Sequence, residues 1–419
     1  MMEKKKLTDK QDILFLGSLF PKGHEEEILQ NSITGIQNAS NVLQQGIVAG
    51  LDEIFPGQIR ILNSLHIGSF PKHYKKPLIQ TYNFSQTKSG KDLNAGFINI
   101  KGIKHSSRLS ALKPHVKKWA MEKNEGKKVI IGYAASATCS RLLLYAKRWN
   151  SDVKTCMVVA DLPEHMSVAT GRSLAFKLFV QSENQKVWQD IKHIDSFVLL
   201  TELMAEAMQL KVPYTVVEGI ASDVFGEAKE PEGAQEGKGI KTILYTGSLT
   251  EKYGIMDLVN AFELISDESC RLIICGEGET DSRIKRACER DCRIEFRGLI
   301  KRDEALRLQR EATLLVNPRP NNEEFTKYSF PSKIMEYMSS GTPVAAYLLD
   351  GMPKEYSEFM FTIEGREGVK AVQNTLSYAL SQSDKQLHEM GKKARSFVLS
   401  EKNKVKQAEK IADLIGSSL

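Results

Sequence analysis

Short, mostly apolar runs closed by glycine, serine or a charged residue recur along the chain. Between them lie stretches whose apolar residues return every three or four positions. The first pattern predicts buried strands and the second amphipathic helices. In the first half, strands are expected at 12–17, 59–62, 97–101, 128–133, 155–160, 196–200 and 214–217. Helices are expected at 33–48, 107–121, 140–149 and 201–208. Residues 226–241 then turn Gly-, Glu- and Lys-rich with no apolar period, which reads as a linker. Beyond it strands are expected at 242–245, 271–275, 293–298, 313–316 and 344–347, and helices at 256–265, 302–312, 331–339 and 368–380. Strand alternating with helix predicts an α/β protein with parallel sheets. The expected division is a first domain over 1–225, the linker 226–241, a second domain over 242–399, and a terminal helix over 400–419. Val405, Ala408, Ile411, Ala412 and Ile415 mark one apolar face of that helix.

Composition fits this picture. At 419 residues, with 41% apolar and 26% charged residues, the chain suits two soluble domains. Its apolar runs fall short of the roughly 18 residues of a membrane span. The run 13–16 is too short for a secretory signal, so a cytoplasmic location is expected. Six scattered cysteines complete no zinc pattern and read as free thiols. The net charge of +6 is uneven. Residues 1–225 carry 29 Lys and Arg against 21 Asp and Glu, while 226–419 carry 29 against 31. The basic first half suits an anionic partner, with peripheral contact at the inner membrane face the specific expectation. The segment 107–121, with Lys113, Lys117, Lys118 and Trp119, is one candidate for that contact, and Lys72, His73, Lys75 and Lys76 form another.

Candidate chemistry concentrates in the second half. Pro331-Ser332-Lys333 opens a helix after the loop 317–330, and Glu336 lies one turn beyond Lys333 on the same face. A cation at a helix N-terminus opposes the macrodipole, so the arrangement suits an anion held by backbone N–H groups and the ammonium together. A second loop, Gly247-Ser-Leu-Thr-Glu-Lys252-Tyr-Gly254, joins a strand to a helix and offers glycines for close backbone approach with a lysine free to reach a phosphate. Gly276-Glu-Gly278 and Phe296-Arg-Gly-Leu-Ile300 follow two further strands. In the first half, Gly17 and Ser18 close the first strand in a weak phosphate-loop pattern. Asp161 and His165 stand just beyond the strand 155–160, at the end where parallel sheets bind ligands.

The string Phe330-Pro-Ser-Lys-x-x-Glu-Tyr-x-x-x-Gly-x-Pro-Val344 resembles the nucleotide-sugar site of GT-B glycosyltransferases, specifically family-4-type retaining enzymes of bacterial polysaccharide assembly. With the loop 247–254 and the two glycine turns, the resemblance covers about residues 242–347. It implies two doubly wound, Rossmann-like domains facing a cleft, with the last helix crossing back to the first domain. It further implies that Lys252 and Lys333 stabilise a departing diphosphate, and that Glu336 binds ribose hydroxyls. Leu299 and Ile300 would read the base edge through their backbone, and Arg319, Gly247, Ser248, Gly276 and Ser332 would line the nucleotide pocket. Asp161 and His165 are the acceptor-side candidates.

The family commonly has a glutamate eight positions before Glu336, where this chain has Tyr328; Glu323 and Glu324 lie nearby. No Asp-x-Asp occurs, so no metal cofactor is expected. The expected activity is transfer of a sugar, by a retaining hexosyltransferase, from a nucleotide diphosphate to a glycan or lipid-linked acceptor. The alternative is a non-catalytic GT-B-like subunit that binds a partner transferase or a glycan. A dinucleotide oxidoreductase lacks its Gly-x-Gly-x-x-Gly with a following acid, and no nucleic-acid partner is expected.

Overall fold

The computed structural model describes residues 10–33, 38–164, 174–221, 224–226, 239–365 and 368–417. His165 lies outside the described residues, as does most of the linker segment. The chain divides into two compact units: residues 1–220 with 404–419, and residues 221–403.

The first unit contains β1 (Gln11–Gly17), β2 (Ile59–Asn63), β3 (Leu78–Ile79), β4 (Tyr82–Phe84), β5 (Asp92–Asn94), β6 (Phe97–Ile98), β7 (Lys127–Tyr133), β8 (Lys154–Val159), β9 (Ser196–Leu199) and β10 (Tyr214–Val216). Eight of these form a sheet in the order β10-β9-β8-β7-β1-β2-β5-β4, parallel except for the last pair. Residues of β1 are buried along its whole length, as its unbroken apolar run requires for a central strand covered on both faces. The helix Asn38–Ile54 packs against the terminal helix Lys404–Ser417 within this unit. Gly50 permits the approach, because a Cβ there would stand 2.1 Å from the Lys404 carbonyl oxygen and 2.7 Å from Ala408 Cβ. Ala408, Ile411, Ala412 and Ile415 bury against Ile47, Val48 and Leu51. The terminal helix is thereby part of the first unit's core.

Two expectations for this half need correction. The strand anticipated over 97–101 is only Phe97–Ile98, and it pairs antiparallel with β3 in a separate two-stranded sheet. Trp119 is not a lipid-facing aromatic. It is 2% exposed and its Nε1 donates to Asp12 Oδ1 at 3.0 Å. Asp12 also accepts from Lys128 Nζ at 2.6 Å, Asn124 Nδ2 at 2.7 Å and Arg60 Nη2 at 3.2 Å. This buried carboxylate draws Trp119, Lys128 of β7 and Arg60 of β2 inward, while Lys117 and Lys118 stay exposed.

The second unit holds β11 (Lys241–Thr246), β12 (Cys270–Cys275), β13 (Ile294–Gly298), β14 (Leu314–Asn317), β15 (Val344–Ala346) and β16 (Phe361–Thr362). They form one parallel sheet in the order β13-β12-β11-β14-β15-β16. The order reverses at β11, with β12 on one side and β14 on the other. In doubly wound sheets such a switch point opens a crevice beyond the strands' carboxyl ends. The loops after β11, β12, β13 and β14 all leave from that edge. Helices Ile255–Glu263, Asp281–Arg290, Arg302–Glu311, Ser332–Ser340 and Val369–Leu380 connect or cover the strands. Both units are doubly wound, Rossmann-like α/β layers.

Candidate active site

At the carboxyl edge of the second sheet, backbone contacts stitch the first three loops together. Gly247 N–H donates to the Cys275 carbonyl at 3.0 Å, Leu249 N–H to the Glu277 carbonyl at 3.0 Å, and Gly276 N–H to the Gly298 carbonyl at 2.8 Å. Gly276 has φ +147°, and a Cβ there would fall 1.8 Å from the Gly247 carbonyl oxygen. Only glycine admits that spacing. The Gly247–Ser248 turn is held from beneath by the Tyr245 hydroxyl, which donates to the Ser248 carbonyl at 2.8 Å. Beyond β13, Leu299 is 72% exposed and Ile300 is half-buried.

The lysine loop also abuts the loop after β14. Gly254 adopts φ +75°, and a Cβ there would stand 2.1 Å from the Pro318 carbonyl oxygen. This approach brings two cations to shared aromatic surfaces. Lys252 Nζ lies 4.9 Å from the Phe325 ring centre and 5.5 Å from that of Tyr253. Arg319 Cζ lies 4.6 Å and 5.3 Å from the same two rings, and its Nη2 donates to Ser329 Oγ at 2.7 Å. Ring faces of this kind attract the two cations and help to fix where they lie. Among the described residues Lys252 forms no ion pair.

The helix Ser332–Ser340 begins just after this loop. Pro331 is its N-cap, one residue earlier in role than the sequence suggested, and no side chain caps the end. No acidic residue occupies its first turn. Lys333 Nζ donates to Glu336 Oε1 at 2.8 Å, and Gln309 Nε2 reaches the same oxygen at 2.8 Å. Arg302 Nη1 stands 3.8 Å from Glu336 Oε2. Gln309 also donates to Thr246 Oγ1 at 3.1 Å, and Thr246 N–H donates to the Tyr337 hydroxyl at 2.8 Å. Burial pushes the Glu336 carboxyl up, but the Lys333 charge and hydrogen bond, with Gln309 and Arg302 behind them, outweigh it and hold it below its ordinary range. Glu336 is therefore an anchored carboxylate whose Oε2 makes no close hydrogen bond among the described residues.

The structure thus brings Lys252 and Arg319 onto common rings, and places Lys333, Ser332 and Glu336 at the following helix start. Gly247, Ser248, Gly276, Leu299 and Ile300 sit on neighbouring turns of the same sheet edge. In the first unit, Gly17 and Ser18 close β1, where the Ser18 N–H is taken by Gln44 Oε1 at 2.7 Å. A Cβ on Gly17 would meet the Phe15 ring at 2.9 Å. That turn is engaged by its own unit, since the Gly17 carbonyl also accepts from Ser64 N–H at 3.0 Å and Phe20 N–H donates to Asn41 Oδ1 at 2.7 Å. Asp161 is exposed just past β8; burial pushes the Tyr133 hydroxyl up to about 12, and the Asp161 charge adds a smaller push in the same direction. Gln309, Arg302, Tyr253 and Phe325 escaped the sequence reading. Gln309 is fully buried in a helix of ordinary amphipathic pattern, so only its burial betrays a role. Among the described residues no group of three or more His, Cys, Asp and Glu side chains is arranged to hold a metal ion.

With this geometry in hand, the class follows: the chain has the GT-B fold. Residues 240–381 match the model of the family described as Glycosyl transferases group 1. Sucrose-phosphate synthase from Thermosynechococcus elongatus superposes with TM-score 0.64 at 14% identity, covering 97% of this chain and 99% of that one. Lipopolysaccharide outer core galactosyltransferase WaaB, in its apo form, gives TM-score 0.62 at 13% identity over 97% and 99%. The Anabaena protein HepE in complex with UDP gives 0.61 at 12% over 97% and 100%. At such identities these likenesses speak to fold. No curated protein sequence matches the chain significantly.

Proposed function

We propose that the protein is a retaining glycosyltransferase that moves a sugar from a nucleotide diphosphate sugar to a glycan or lipid-linked acceptor without a metal ion. The observation that carries this reading is the set of cations on the second unit: Lys252 and Arg319 on shared rings, and Lys333 at an uncapped helix start. The family match spans these same residues.

In the proposed reaction the bond from the anomeric carbon to the diphosphate oxygen breaks, leaving negative charge on that oxygen and oxocarbenium character on the sugar. Lys252 and Lys333 stabilise the growing charge, as fixed donors do in transition states, and removing one such donor typically costs roughly 3–4 kcal/mol. Glu336 Oε2 accepts hydrogen bonds from ribose hydroxyls, while Oε1 keeps Lys333 in place. The acceptor hydroxyl attacks from the leaving group's face, and its proton passes to the departing diphosphate. Asp161 is proposed on the acceptor side.

The test is release of nucleoside diphosphate from a panel of nucleotide sugars, beginning with UDP-sugars and run with a chelator present. Release that Lys252→Ala or Lys333→Ala removes supports the reading; activity indifferent to both changes overturns it. A second reading, a non-catalytic subunit, is motivated by Tyr328 at the position of the family's donor-sugar glutamate. It predicts nucleotide binding without turnover of any donor in the panel.

A further inference from the structure

The two-stranded sheet of β3 and β6 carries an inverted pattern. Along 97–100 the side chains alternate: Phe97 and Asn99 are buried at 3% and 0%, while Ile98 and Ile100 are exposed at 41% and 42%. A half-buried strand ordinarily turns its polar residues outward. Here Asn99 is the inward residue, donating from Nδ2 to the Gly68 carbonyl at 2.9 Å, and the isoleucines face solvent. Across the pair, Leu78 stands opposite Ile98 and is 58% exposed, while Ile79 and Phe97 pack inward with Phe20, Ile28, Leu65, Ile67 and Tyr74. Ile103, at the start of the helix Lys104–Met121, adds 47% exposure.

Within the segment that carries this apolar face the charge is one-sided, while the acidic first turn of the helix Glu25–Asn31 meets it at Lys76. Residues 54–121 contain 12 Lys and Arg and a single acidic residue, Asp92. Asp92 is 1% exposed and accepts hydrogen bonds from the N–H groups of Ile61, Gln86 and Thr87. No carboxylate from this stretch therefore reaches the surface. Lys72, Lys75 and Lys76 lead directly into Leu78, and Lys101 lies between Ile100 and Ile103; all four are exposed. Glu27 pairs with Lys76 at 2.6 Å, whereas Lys72 and Lys101 have no ion pair among the described residues.

We infer that this face, Leu78, Ile98, Ile100 and Ile103 with Lys72, Lys75 and Lys101 beside them, is a docking surface for an anionic phospholipid bilayer. Apolar side chains that enter the interface and lysines that meet anionic headgroups supply the two contributions that peripheral binding needs. The helix end at Trp119 cannot offer its tryptophan to a bilayer, since that side chain is buried and Met121 is the exposed apolar residue beside it.

The test is co-sedimentation of the full chain with vesicles of phosphatidylcholine alone and of phosphatidylcholine mixed with phosphatidylglycerol. Binding is expected to the mixed vesicles only. L78S/I98S and K72E/K101E should each weaken it at least about tenfold. Because all four positions are exposed, melting temperatures should match the native chain's and show that the variants fold. K333A, inactive on the transfer reading, should bind vesicles like the native chain, so the two proposals stand or fall separately. Absence of native binding to mixed vesicles overturns the inference. So does binding unchanged in both double variants, or binding lost only when Lys113, Lys117 and Lys118 are replaced. Self-association that disappears in L78S/I98S, without any vesicle binding, would assign the face to a second copy of the chain.

Discussion

Lys333 Nζ donates to Glu336 Oε1 at 2.8 Å, one helical turn away, so the ammonium at the helix start is held by a carboxylate of its own helix. Alone, an exposed pair at that spacing adds only ~0.2–0.5 kcal/mol to a helix. This pair differs because Gln309 fixes the same oxygen from below and Arg302 approaches the other. On the proposed reading Glu336 orients a lysine whose remaining donors meet the diphosphate. Lys333→Met should lower kcat by about 10²–10³, in line with the loss of a charge-stabilising donor. Single-turnover kinetics with a turned-over donor would check this, and a fall of less than tenfold would remove Lys333 from the chemistry.

The shared ring gives a second prediction. Phe325 supports both Lys252 and Arg319, each by a contact of about 0.5–1 kcal/mol. Phe325→Leu keeps bulk but removes the ring face. Nucleoside diphosphate affinity should fall about 5–20-fold as the cations lose their fixed positions. Titration calorimetry reads the change, and Tyr328→Phe, which leaves the ring at 325 intact, serves as the comparison.

Gly276 tests the stitched loops. Gly276→Ala forces a Cβ onto the Gly247 carbonyl and fixes an unfavourable φ, so the second unit should lose about 2–3 kcal/mol of stability. Denaturant unfolding would register the loss. Gly298→Ala is the informative control, since a Cβ at that position meets nothing within 4 Å and only its φ of +65° is strained.

A fourth prediction concerns the first unit. Burial pushes Asp12 up, while hydrogen bonds from Lys128, Trp119 and Asn124 and the Arg60 charge pull it further down, leaving it below the ordinary carboxylate range. A folded-state pKa below the unfolded value contributes stability above the unfolded pKa of about 4, and that contribution is lost as pH falls through the folded value. Asp12→Ala strands the buried Lys128 and should cost about 3–5 kcal/mol at neutral pH. Unfolding curves against pH should show the gap between native and variant narrowing below about pH 4.

Much of the second unit could be read in advance because its strands are continuous apolar runs and its turns carry glycine and proline. Thr242 to Thr246, Leu314 to Val316 and the helix from Ser332 needed no tertiary information. Other features depended on partners distant in sequence. β6 is two residues long and exists because β3 pairs with it. Trp119 looked like an interfacial aromatic until Asp12, 107 residues away, claimed its N–H. The helices Asp281–Arg290 and Asp384–Glu401 are strongly charged, and their thin apolar stripes were overlooked among lysines and glutamates. At the candidate site, Lys252, Lys333 and Glu336 are the residues a motif singles out. Gln309 and Phe325 were missed, because a glutamine buried beneath a carboxylate and a ring shared by two cations leave no pattern in one dimension.

The account rests on nucleoside diphosphate being held by Lys252 and Lys333, and a direct measurement is calorimetric titration of the native chain and the two alanine variants with UDP, GDP, ADP and TDP. The prediction is one preferred nucleotide for the native chain, with affinity reduced at least about tenfold in K252A and in K333A. Equal affinity in all three proteins would contradict it.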